Sequence, residues 1–79
     1  MEILKVDEDG FEYEVEGTFE LDGEEVIILI YPQEDGQVLV VAMAVDCDFE
    51  MAWHSYPSDY SMTDAAMKFI SDHEIYWVE

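Results

Sequence analysis

Apolar and polar residues alternate through most of the first fifty positions. Phe11, Tyr13, Val15, Phe19 and Leu21 are apolar, with Glu12, Glu14, Glu16 and Glu20 interleaved. A period of two puts alternate side chains on opposite faces of a strand. Three Asp-Gly pairs punctuate this pattern: Asp9-Gly10, Asp22-Gly23 and Asp35-Gly36, 13 residues apart each time. Asp-Gly between alternating runs signals a tight hairpin, because both central residues of a type I′ turn need positive φ. Strands over 2–7, 11–21, 24–32 and 37–45 follow, with a fifth candidate over 49–56.

Pro57, Ser58 and Asp59 end that pattern, and the period changes. Met62, Ala65, Ala66, Phe69 and Ile70 recur at helical spacing, and Ser61 with Asp64 forms a variant capping box. The spacing predicts a helix over 62–72. Lys68 lies four residues from both Asp64 and Asp72, so local pairing engages it. Ile75 to Val78 reads as a short closing strand. The fold class is α+β. An antiparallel β-meander of four to five strands, strongly curled and barrel-like, carries one C-terminal helix and a short final strand. The 79 residues form a single domain.

Two-residue turns fix register, and register fixes faces. Leu21 then opposes Glu24, Phe19 opposes Val26 and Val15 opposes Ile30. Ile30 opposes Val41, Ile28 opposes Met43, Leu4 opposes Val15 and Val6 opposes Tyr13. One face collects Leu4, Val6, Tyr13, Val15, Phe19, Val26, Ile28, Ile30, Leu39, Val41, Met43 and Val45 as a core under the helix. The other holds the four glutamates beside Ile27, Leu29, Tyr31, Val38, Val40, Ala42 and Ala44. Two strands are therefore apolar on both faces. Curling of the sheet, the 49–56 segment or a partner chain must cover the second one.

Charge changes the picture most. The chain has 21 acidic residues, two lysines and no arginine, for a net charge of −19. That is about one uncompensated negative charge per four residues, a density at which self-repulsion opposes compaction. Yet 51% of the residues are apolar, so the chain folds and is no disordered acidic tail. Two lysines build no basic patch, which excludes direct binding to nucleic acid and attraction to anionic membranes. One cysteine, Cys47, allows no internal disulfide and fits a reducing compartment. The first residues do not resemble a signal peptide, and the apolar run Val38 to Val45 is too short to span a bilayer. A soluble cytoplasmic protein is expected.

Candidate chemistry is thin. Asp46, Cys47, Asp48, His54, His73 and Glu74 match no zinc spacing, and the Asp-Glu-Asp-Gly stretch lacks the rest of a calcium loop. Cys47 and His54 lie seven residues apart and acids flank the cysteine on both sides, a setting that does not favour a nucleophile–base pair. No glycine-rich phosphate loop is present. The expectation is a non-enzyme with no cofactor and no metal.

What remains is the acid field. Glu12, Glu14 and Glu16 would form a row with roughly 6.6–6.8 Å between alternate carboxylates. Asp22, Glu24, Glu25, Glu34, Asp35, Asp48 and Glu50 extend it through the turns. Surfaces that serve only solubility mix both signs, whereas this one does not. In size, charge and compact composition the chain resembles the small acidic DNA-mimic inhibitors, which share no motif and no single fold. Phages and mobile elements encode them against CRISPR effectors, restriction enzymes and DNA glycosylases. The candidate partner-binding set, from the strand row, the acid turns and one aromatic residue, is Glu12, Glu14, Glu16, Glu20, Asp22, Glu24, Glu25, Glu34, Asp35, Asp48, Glu50 and Trp53. The resemblance implies as partner a basic nucleic-acid-binding protein or complex. The alternative is a small adaptor or homodimer that uses the apolar second face, its acidity serving solubility or salt adaptation.

Overall fold

The computed structural model describes residues 2–78. In chain order the elements are β1 (Ile3–Lys5), β2 (Tyr13–Val15), β3 (Phe19–Leu21), β4 (Glu24–Pro32), β5 (Val38–Ala44), β6 (Glu50–Tyr56), α1 (Met62–Asp72) and β7 (Tyr76–Trp77). The strands form one curled antiparallel half-barrel. β4 is the hub. β5 and then the edge strand β6 lie on one side of it, and β2 and β3 lie end to end along the other. β1 pairs outside β2, and β7 pairs outside β3.

The strand expected over 11–21 is two strands. Glu16, Gly17 and Thr18 break it, and Gly17 takes a φ of 135°. A Cβ built on Gly17 would lie 2.6 Å from Nε1 of Trp77, so only glycine lets the β7 indole close over the break. That indole stacks on Phe19 with ring centroids 5.7 Å apart. The break absorbs two extra residues: Phe19 faces Val26 as expected, but Tyr13 rather than Val15 faces Ile30. A shift of two leaves each side chain on its expected face.

The Asp22-Gly23 turn is the expected two-residue hairpin, with φ of 53° and 83° and Leu21 opposite Glu24. The Asp35-Gly36 turn corrects the sequence reading. The amide of Gln33 donates to the carbonyl of Gln37, so Glu34, Asp35 and Gly36 form a three-residue loop. Asp35 Oδ1 accepts from the Gln37 amide at 3.0 Å. Gly36, with a φ of 89°, takes the left-handed last position that such loops require. Register slips by one, so Ile30 faces Val40 and Ile28 faces Ala42. β5 is thereby turned over. Val38, Val40, Ala42 and Ala44 are the core residues, while Leu39, Val41 and Met43 face away from the helix.

The Asp9-Gly10 turn slips likewise, closing with Val6 N–H to the Glu12 carbonyl at 3.0 Å. Lys5 faces Tyr13 and Ile3 faces Val15, so Leu4 and Val6 are exposed and outside the core; so is Val45.

The helix covers the inner face. Ser61 caps it, its Oγ accepting from the Asp64 amide at 3.0 Å. Ala65, Ala66 and Phe69 are fully buried against β4 and β5. Ala42 on the sheet and Ala65 and Ala66 on the helix belong to this same core. It ends in a Schellman motif: Ile75 N–H bonds to the Ile70 carbonyl and Glu74 N–H to that of Ser71. Glu74, not glycine, holds the left-handed position with a φ of 54°. Lys68 pairs with Asp72 at 3.4 Å. The helix is the crossover from the β6 edge to β7 on the other side of the sheet, and it closes the core.

Candidate partner-binding surface

The sheet face turned away from the helix is its outer face, and among the described residues no other element covers it. Cross-strand register lays one row of side chains across it: Leu4, Glu14, Leu29, Val41 and Trp53. Leu29 and Val41 are buried by their neighbours, but Trp53 is 61% exposed. The segment 49–56 is thus mostly strand, from Glu50 to Tyr56. It widens the outer face rather than folding over it. Neighbouring strands lie about 4.8 Å apart, so some 14 Å separates the backbone at Glu14 from that at Trp53.

Beside this row is a shallow depression of about 460 Å³, lined by Tyr31, Gln33, Leu39, Val41, Glu50 and Trp53. The Tyr31 phenol is pushed up to about 12. Burial is the main cause, followed by a hydrogen bond to the Glu12 carboxylate and the charges of Glu12 and Glu50. Two of the expected acids therefore converge on Tyr31, which the alternation places on the same face as Glu12. The turned-over β5 adds Leu39 and Val41 to that face, where the sequence pattern puts them on the other.

Glu12 and Glu14 are half-buried at the β2 side of the face. Glu16 is exposed beside Glu2, whose hydrogen bond and charge raise the Glu16 pKa. Glu20 sits at the far end of the face, in register with Glu25 on β4 and Tyr76 on β7. The break at Gly17 interrupts the glutamate row between Glu16 and Glu20, so the acids do not form one continuous line. Asp22, Glu24, Glu25 and Asp48 gather at the end of the sheet that carries the β3–β4 and β5–β6 turns, all exposed. Glu34 and Asp35 stand exposed at the opposite end, in the β4–β5 loop. Glu50 opens β6 opposite Met43. The twelve predicted residues thus lie around one face and its two ends, not on one strand.

Of the late aromatic residues, Tyr56 is buried in the helix-side core and Tyr60 packs against it; Tyr76 is exposed and Trp77 half-exposed. Among the described residues, no group of three or more His, Cys, Asp or Glu could hold a metal ion. No helix among them is long and apolar enough to cross a membrane. Comparison with protein-family models, curated proteins and solved structures finds no match for the chain.

Proposed function

We propose that this protein is a non-enzymatic inhibitor that binds and blocks a basic nucleic-acid-binding site on another protein by mimicking DNA or RNA. Its place is that of phage-type anti-CRISPR, anti-restriction or DNA-repair-enzyme inhibitors, acting in the host cytoplasm. The observation that supports this is the unshielded single sign of the surface. Among the described residues no charged side chain is buried, and one ion pair, Lys68 with Asp72, is formed. A rigid sheet holds the remaining acids outward.

The mechanism is competition. A fixed carboxylate array enters a groove shaped for phosphates, releases counterions from it and is steered there electrostatically. Glu12, Glu14, Glu20, Glu25 and Glu50 supply the contact around the outer face. The apolar row through Leu29, Val41 and Trp53 also supports a second reading, an adaptor module whose acidity serves solubility.

The test is capture from nuclease-treated bacterial lysate by the immobilised protein. The inhibitor reading expects a nucleic-acid-binding complex that is lost as salt rises, displaced by added DNA or RNA and weakened by Glu14→Lys. Retention that ignores salt and competitor would defeat it.

A further inference from the structure

The outer face combines two features that a duplex does not present together. A duplex turns its phosphates outward and keeps the base faces stacked inside. A single strand offers base faces beside phosphates, and the grooves that bind it join a cationic track to aromatic platforms. Here an exposed indole, Trp53, borders a depression of about 460 Å³ that also contains Tyr31 and Glu50. Glu12, one residue before β2, stands beside Tyr31 on the neighbouring strand, as the Tyr13–Ile30 register requires. Glu14 lies in the Trp53 row, with Leu29 and Val41 between them. Carboxylates thus flank an apolar, aromatic centre on one rigid sheet.

Charge narrows the choice of occupant. A second copy would bring another −19 against the same face, and an anionic membrane would be repelled equally. Residues 51–58 carry no acid, so Trp53 can enter an apolar slot while the flanking acids meet cations.

We infer that the outer face docks into the groove of a single-strand-binding protein. Trp53 takes the place of a base on its aromatic platforms, and Glu12, Glu14 and Glu50 take the places of phosphates. This rests on the mimic reading above and specifies which nucleic-acid form is copied.

The test uses bacterial extract separated into proteins held by single-stranded-DNA cellulose and by duplex-DNA cellulose. Each fraction is passed over immobilised wild-type protein, Trp53→Ala and Trp53→Phe. The inference expects retention mainly from the single-strand fraction, reduced about tenfold by Trp53→Ala and largely kept by Trp53→Phe, since stacking needs only an aromatic face. Unchanged thermal unfolding of Trp53→Ala excludes misfolding as the cause. Retention mainly from the duplex fraction, indifferent to Trp53, would overturn the inference and leave the mimic reading standing. No retention from either fraction would overturn both. A wild-type dimer in sedimentation that Trp53→Ala converts to monomer would make a second copy the occupant and overturn the inference.

Discussion

The two faces of the sheet use similar residues for opposite ends. The inner face buries Val15, Phe19, Ile28, Ile30 and Val40 beneath Phe69, and none of these six keeps more than 1% of its surface. The outer face buries Leu29 and Val41 almost as well without a covering layer. There, neighbouring side chains on a curled sheet provide the shielding that the helix provides inside. The lesson is that low exposure has two causes. Inside, it reports a closed core whose loss unfolds the chain. Outside, it reports a few shielded residues within a surface that still ends in an open tryptophan.

Substitutions on each face test this contrast. Phe69→Ala should remove about 3–5 kcal/mol through transfer and cavity terms, a large share of the stability of so small a domain. Trp53→Ala should change stability by less than about 0.5 kcal/mol, because its side chain is already wet. Urea denaturation of the pair measures the difference, and equal losses would show the outer face to be a second core.

Next in size is Gly17→Ala. Its Cβ would collide with Trp77 at a φ unsuited to L-residues, so the β3–β7 pairing should loosen at a cost of about 1–3 kcal/mol. Trp77 fluorescence should report the change, and an undisturbed emission would contradict the close approach. Glu74→Gly should raise stability by about 1 kcal/mol. It relieves a left-handed non-glycine residue and removes an anion from the helix C-terminus. Thermal unfolding measures it.

The smallest expected effect is electrostatic. Glu2 raises the Glu16 pKa above 4.5, so ionising Glu16 is harder in the folded protein than in the unfolded chain. The resulting penalty is absent below pH 4.5 and grows as pH rises through 4.5 and the raised folded value. Glu2→Gln should therefore gain on wild type over that window, and added salt should shrink the gain. Parallel melting curves that never diverge with pH would remove the coupling.

The helix, its serine cap and the Asp22-Gly23 hairpin were legible because each depends on local chemistry at adjacent residues. β5 was not, because Asp-Gly serves two loop lengths. In a two-residue turn both central residues take positive φ; in a three-residue loop only the glycine must. Asp22 has a φ of 53°, whereas Asp35 is free of that demand. One residue of difference turned a whole strand over. The break at Gly17 was equally hidden, because its cause is an indole sixty residues away in sequence. The acid set was legible as composition. Its arrangement around an aromatic centre depended on the register of β5 and could not be read before it.

The open edge of β6 bears on how the protein behaves at high concentration. Among the described residues its outer backbone groups have no strand partner, and its middle carries no charge, the profile of a template for runaway strand addition. Mutual repulsion between molecules of this charge opposes such addition. Acidification toward the isoelectric point near 4.1 removes that guard, and the native protein should coalesce into sheet-rich aggregates there while still folded.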